Sequence, residues 1–228
     1  MTNIADRYNT IIKQIDAASK HSSQQQVSLL AVSKTKPLAD ILALYSLGQR
    51  HFGENYVQEG VEKIQTCPHK DISWHFIGPL QSNKSKLVAE HFDWMHTVDR
   101  LKIAKRLNDQ RPADKAPLNV CIQVNISNEA SKSGIPLEQV DELAKQLSEL
   151  ENIKLRGLMA IPANSKDEAQ QNLEFSQLKQ AFDKLAEQYP DIDTLSMGMS
   201  GDLDLAINNG STMVRVGSAI FGARTVKQ

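Results

Sequence analysis

Short apolar runs of strand length alternate with helical stretches eight times along this chain. The first run, Val27–Ser33, leads through Lys34-Thr-Lys-Pro37 into a helical stretch at 38–47 that Gly48 ends. The other predicted strands are His51–Glu54, Trp74–Ile77, Trp94–Val98, Asn119–Asn125, Lys154–Ala160, Thr194–Met197 and Met213–Val216. The helices between them are predicted at 57–64, 84–91, 101–108, 137–150, 166–189 and 203–208. Eight βα units in about 200 to 250 residues favour an α/β fold of the closed (β/α)₈ TIM-barrel type, with an open doubly wound sheet as the alternative.

A further helix is predicted ahead of the first strand. Residues 3–20 carry Ile4, Tyr8, Ile11, Ile12 and Ile15 at helical spacing, which is typical of a helix with one face packed on the body. No linker or composition shift divides the chain. We therefore expect one domain over residues 1–228, with the barrel at about 27–224.

Charge and cysteine content narrow the classes of partner. Among 228 residues, 26 Lys and Arg balance 27 Asp and Glu, so no global field attracts nucleic acid or an anionic membrane, and a small ligand is favoured. Cys67 and Cys121 lack metal-ligand spacing, which argues against zinc and against a disulfide scaffold. The N-terminus has no apolar signal segment, and no apolar run approaches the roughly 20 residues that span a bilayer. We expect a cytoplasmic protein without a metal.

Lys34 ends the first strand on the face of Leu30 and Val32, which faces the interior of a barrel. A lysine at that position either extends to solvent at the rim or has a partly desolvated amine that forms a Schiff base with a carbonyl. On residue type alone the lysine that extends to solvent is the commoner case, and at this position the two interpretations carry about equal weight. Lys36 is the competing lysine, but it precedes Pro37, where the strand ends.

Two glycine- and serine-containing segments follow the seventh and eighth strands, where barrels often bind phosphate. They are Met199-Ser200-Gly201-Asp202 and Val216-Gly217-Ser218. Each offers close backbone approach and a hydroxyl donor, although helix capping and turn formation explain either segment alone. Together with Lys34 they predict a ligand carrying both an aldehyde and a phosphate, and pyridoxal 5′-phosphate (PLP) carries both.

Arg215 lies two residues before Gly217 and is expected to point into the mouth of the barrel. There it is placed to donate to the pyridine nitrogen, and a fixed cation disfavours protonation of that nitrogen and weakens the cofactor as an electron sink. A buried ion pair with Glu54 is an equally supported alternative. Asn55, His75 and Met159 end other strands and are candidates to line the ring, although each residue taken alone is more often packed in a core or a loop.

The motifs at the strand ends resemble those of the pyridoxal-phosphate homeostasis protein family. They are Leu-Leu-Ala-Val-Ser-Lys34-Thr-Lys-Pro, His51-Phe-Gly-Glu-Asn-Tyr-Val-Gln-Glu59, Trp74-His-Phe-Ile-Gly-Pro-Leu-Gln-Ser-Asn-Lys84, Gly157-Leu-Met-Ala-Ile161, Ser196-Met-Gly-Met-Ser-Gly-Asp202 and Arg215-Val-Gly-Ser218. The resemblance runs from about Val27 to Arg224 with the family's order and spacing.

This resemblance implies a barrel similar to the N-terminal domain of alanine racemase, with PLP on Lys34 as an internal aldimine. By the same match, Ser200, Gly217 and Ser218 hold the phosphate and Arg215 faces the pyridine nitrogen. Family members are regarded as regulators of vitamin B6 and of amino-acid and keto-acid balance, without an established reaction. The expected function is therefore a PLP carrier, a monomer that passes cofactor to apo PLP-dependent enzymes.

Two other functions stay open on the sequence. One is an amino-acid racemase or related PLP enzyme with Lys34 as its single base, although no length is left for the second domain and tyrosine base of alanine racemase. The other is an interaction module controlled by ligand occupancy. Lys132, after the fifth strand, is expected to be a solvated loop lysine, with a transient second aldimine as a speculative role.

Overall fold

The computed structural model describes residues 3–21, 26–127, 129, 132–162 and 167–223. Within them, eight parallel strands close into a barrel in chain order, and β8 pairs back onto β1. The strands are β1 Ser28–Val32, β2 His51–Glu54, β3 Ser73–Phe76, β4 Trp94–Val98, β5 Leu118–Val124, β6 Ile153–Ala160, β7 Thr194–Ser196 and β8 Met213–Val216. The expected (β/α)₈ barrel is confirmed, and each strand begins and ends within one residue of its predicted position.

Helices surround the barrel and follow the strands in alternation. They are α1 Ile4–His21, α2 Leu38–Ser46, α3 Val57–Thr66, α4 Ser85–His91, α5 Leu101–Gln110, α6 Val140–Ser148, α7 Glu168–Gln188, α8 Leu203–Asn208 and α9 Ser218–Phe221. The short α9, directly after β8, was not predicted, because four residues show no helical period. Among the described residues, no helix is long and apolar enough to cross a membrane.

The N-terminal helix α1 confirms the expectation of an added helix. Its apolar face contains Tyr8, Ile11 and Ile15, all buried in the main hydrophobic core, and the helix packs against α2, α8 and α9. The Nε–H of Arg7 donates to the carbonyl of Ile220 in α9 at 2.6 Å. The helix that opens the chain thus supports the helix that follows the last strand.

The inside of the barrel differs chemically from the layer between strands and helices. The outer layer is one continuous apolar cluster. Trp94, Cys121 and Met159 form a separate small cluster, and His75 and His96 are fully buried beside it. Interiors of such barrels are usually filled by branched aliphatic side chains, so this interior is unusually polar.

Candidate functional site

A cavity of about 400 Å³ opens at the carboxyl ends of the strands. Binding sites in this fold lie at that end, and the volume falls within the range of small-molecule pockets. It is lined by Val32, Lys34, Lys36, Asn55, Ile77, Met159, Ile161, Met199, Ser200, Gly201, Arg215, Gly217, Ser218 and Gly222. Seven of the eight site residues expected from sequence are in this set.

The turn that carries Lys34 is fixed from both sides. Thr35 has a φ of 61°, a left-handed conformation that is uncommon for a threonine, and its N–H donates to Oε1 of Glu59 at 2.6 Å. On the other side, the ammonium of Lys63 donates to the carbonyl of Ser33 at 2.8 Å. The backbone on either side of Lys34 is therefore held by α3, and the lysine is placed at the cavity as the period of β1 predicted.

Ser200 lies beside Gly201 on the loop that follows β7, and Ser218 is the first residue of α9, directly after Gly217 and β8. A Cβ on Gly217 would lie 3.3 Å from the carbonyl oxygen of Val32, so the loop approaches β1 closely. Around Gly201 the space is open to at least 4 Å. Two hydroxyl donors and two glycine-containing backbone segments, of which the one at Gly201 is unobstructed, thus line the same cavity, which suits a phosphate.

Arg215 occupies the base of the cavity and is only 4% exposed. Its Nη1 donates to the carbonyl and to the Oγ of Ser196, at 2.6 and 2.9 Å, and its Nη2 donates to the carbonyl of Ala160 at 2.8 Å. Burial lowers the pKa of Arg215 to about 10, so the side chain stays charged at neutral pH. A guanidinium has five N–H donors, which leaves donor capacity for a ligand.

Glu54, the alternative ion-pair partner of Arg215, is bonded to other residues. Oε1 of Glu54 accepts from Lys63 at 2.8 Å and from the hydroxyl of Ser33 at 2.5 Å. Burial raises the pKa of Glu54, and Lys63 and Ser33 oppose that rise. Glu54 therefore pairs with Lys63 of α3, and the alternative ion pair with Arg215 is not formed.

His75 differs from the expectation that it lines the ring. It is fully buried, and its imidazole bonds to those of His51 and His96 rather than bordering the cavity. Strand side chains alternate, so Ile77, two residues further along the same face, takes the position at the mouth.

Several lining residues were missed by the sequence reasoning. Ile77, Ile161 and Met199 give the cavity apolar walls, and each follows the last residue of a strand by one to three positions. Their position just after a strand was the one feature of the sequence that could have indicated a place at the cavity. Apolar residues at strand ends also pack in the core, so their type alone does not distinguish a lining role.

The lining groups fit PLP on chemical grounds. Lys34 has an amine that would suit the aldehyde, the segments of Ser200 and Ser218 have donors that would suit the phosphate, and Arg215 has a donor that would suit the ring nitrogen. Asn55 also lines the cavity, and its Oδ1 is buried without a hydrogen-bond partner in the described part of the chain. Buried polar atoms are nearly always paired, so this orphan acceptor suits a site built around a polar ligand.

Known proteins share this architecture. Residues 7–225 match the family model described as "Alanine racemase, N-terminal domain". Pyridoxal phosphate homeostasis proteins of Escherichia coli K12 and Haemophilus influenzae are 57% and 58% identical to this chain. The alignments cover 98% and 97% of this chain, and 98% and 96% of the relatives.

A solved relative carries the ligand. The structure of PipY from Synechococcus elongatus with PLP bound has a TM-score of 0.82 and 36% identity, over 96% of this chain and all of that one. Fold and cavity together define an alanine racemase-like barrel. The chain belongs to the pyridoxal phosphate homeostasis protein family, as its motifs indicated.

Proposed function

We propose that this protein binds PLP covalently through Lys34 and acts as a cytoplasmic, monomeric carrier that limits free aldehyde and passes cofactor to apo-enzymes. One observation carries the proposal: a single cavity brings together an amine, a hydroxyl-rich loop pair and a buried cation. These three groups match the aldehyde, the phosphate and the ring nitrogen of PLP. The ligand named in the PipY structure and the names of the relatives support the same assignment.

The ionisable groups favour a carrier over a two-base racemase. Among the described residues that line the cavity, those with ionisable side chains are Lys34, Lys36 and Arg215. Lys36 is occupied, because its Nζ donates to the carbonyls of Phe221, Gly222 and Ala223 at 3.3, 3.2 and 2.9 Å. Racemisation by two bases needs a second proton-transfer group on the opposite face of the substrate, and the described lining supplies no tyrosine, histidine or carboxylate for it.

The deciding experiment is a visible spectrum followed by borohydride reduction and peptide mapping. We expect a yellow protein with the pyridoxyl label on Lys34. Lys34→Ala should lose colour and label, whereas Lys36→Ala, the matched control two residues away, should remain labelled at Lys34. A wild-type protein that stays colourless and unlabelled with added PLP would refute cofactor binding.

Two assays on the same preparation distinguish a PLP carrier from a PLP-dependent enzyme. Activation of an apo PLP enzyme by the loaded protein, faster than by an equal amount of free PLP, supports direct transfer. Sustained conversion of an L-amino acid to its enantiomer, lost in Lys34→Ala, would instead support an enzyme. Sedimentation of the loaded protein at about the mass of one chain would support the monomer.

A further inference from the structure

A chain of hydrogen bonds runs through the barrel interior and ends on Arg215. Nδ1 of His51 lies 3.0 Å from Nε2 of His75, and Nδ1 of His75 lies 2.9 Å from Nε2 of His96. Nδ1 of His96 lies 3.1 Å from Oγ of Ser196, which is the oxygen that accepts from Arg215. The chain begins at the amino end of β2, where His51 is partly exposed, and crosses to the opposite mouth.

The bond from Arg215 sets the direction of this chain. A guanidinium only donates, so Ser196 Oγ must accept from Arg215, and its hydroxyl hydrogen remains to be placed. Within the described residues, the side-chain partners of Ser196 Oγ are Arg215 and His96. The hydroxyl therefore donates to Nδ1 of His96, because the opposite arrangement would give Oγ two donors and leave a buried hydroxyl hydrogen without an acceptor.

That direction fixes the tautomer of all three imidazoles. A neutral His96 that accepts at Nδ1 carries its proton on Nε2 and donates to Nδ1 of His75. His75 then donates from Nε2 to Nδ1 of His51 in the same way. At each contact along the chain one atom donates and the other accepts, which is the condition under which a buried polar network is stable.

The surroundings keep the chain neutral. Burial lowers the pKa of His96 to about 3, with the charge of Arg215 as a further cause, and burial lowers the pKa of His75 well below its usual value. A protonated imidazole would present two donors and break the sequence of bonds. Trp94 stacks on His75 with ring centres 5.1 Å apart, which also restrains the middle of the chain.

We propose that Ser196 and His96 are positioning residues for Arg215: His96, itself held by the hydrogen bonds through His75 to His51, accepts from the serine hydroxyl, and Ser196 Oγ in turn holds the guanidinium at the base of the cavity. Interaction with the ring nitrogen rests on the proposed function, whereas the chain and its hold on Arg215 do not. A guanidinium held in one orientation spares a ligand the entropic cost of ordering it.

The first test uses nitrogen-15 NMR of the protein without cofactor. Long-range proton–nitrogen correlations at neutral pH should assign the proton to Nε2 in His51, His75 and His96. Guanidinium resonances of Arg215 should show slow rotation about the Cζ–N bonds in wild type and in Ser196→Thr, and faster rotation in Ser196→Ala. A proton on Nδ1 of His96, or an Arg215 equally restrained in Ser196→Ala, would overturn the proposal whether or not PLP binds.

The second test measures PLP affinity. Loss of one hydrogen bond to a charged group should raise the Kd of Ser196→Ala by about tenfold, with the absorption maximum shifted, while Ser196→Thr restores both. His96→Gln retains an acceptor and a donor and should bind more tightly than His96→Phe. Equal affinity and spectrum in Ser196→Ala and wild type would contradict the positioning role, and failure of wild type to bind would refute only the proposed function.

Discussion

Nζ of Lys63 lies 2.8 Å from Oε1 of Glu54, with side chains 8% and 0% exposed. The same ammonium bonds to Glu59 and to the carbonyl of Ser33, so one buried cation joins α3 to the end of β1. Removing one partner of a buried pair leaves an uncompensated charge, which is costly. The pair is thus a structural support directly beneath Lys34.

We expect Lys63→Met to lower the free energy of unfolding by about 3 to 5 kcal/mol. Lys86→Met is the matched control, because Lys86 pairs with Glu90 four residues on and is 70% exposed; exposed pairs of this kind contribute about 0.5 kcal/mol or less. Urea unfolding of the three proteins measures both values. Equal losses in the two variants would contradict the role assigned to Lys63.

Gly157 provides a second stability prediction. Its φ is 146°, and a Cβ would lie 2.0 Å from the carbonyl oxygen of Thr194 on β7, next to the register shift between β5 and β6. Gly157→Ala should therefore cost more than the strain of about 1 to 3 kcal/mol that a left-handed alanine alone brings.

A substitution at Gly48 tests the effect of backbone strain without a steric clash. Its φ is 100°, but nothing lies within 4 Å of an added Cβ. Gly48→Ala should show the strain alone, so its melting temperature should fall less than that of Gly157→Ala. Similar melting temperatures for the two variants would mean that β6 and β7 move apart freely.

The sequence predicts those parts of the fold and of the candidate site that depend on local patterns, and it misses those that depend on contacts between distant residues. The strand limits, the position of Lys34 and the loops of Ser200 and Ser218 follow from periodicity and from chain order. The histidine chain does not, because it depends on registers such as His75 opposite Gly53 and Trp94, which no local pattern specifies. The partner of Glu54 was likewise missed, since it comes from the buried face of α3 and not from a strand.

The buried histidines predict a loss of stability in mild acid. The pKa of His96 falls from 6.5 to about 3 on folding, so between these values the unfolded chain binds a proton that the folded chain does not. Stability then decreases as pH falls below 6.5, by about 1.4 kcal/mol per pH unit for each such group. Glu54 and Asp93, whose pKa values burial raises, act in the opposite direction.

A variant isolates the histidine contribution from those carboxyl groups. Between pH 7 and pH 5, His96→Gln should lose about 2 kcal/mol less unfolding free energy than wild type. Urea unfolding at the two pH values gives this difference directly. Parallel pH profiles for the two proteins would show that His96 titrates normally in the fold.

Lys36 predicts a local effect on α9, the helix that begins with Ser218. Its ammonium satisfies three carbonyls at the carboxyl end of this helix, those of Phe221, Gly222 and Ala223. A cation is favourable there because those carbonyls lack helical partners.

Lys36→Met should speed hydrogen exchange of the Phe221 and Gly222 amides by about tenfold, which corresponds to one hydrogen bond of about 1.4 kcal/mol. The amide of Gly48, bonded to Tyr45 at the end of α2, is the internal control and should exchange as in wild type. Unchanged exchange at Phe221 and Gly222 would show that α1, through Arg7 and the carbonyl of Ile220, holds α9 without help from the β1 loop.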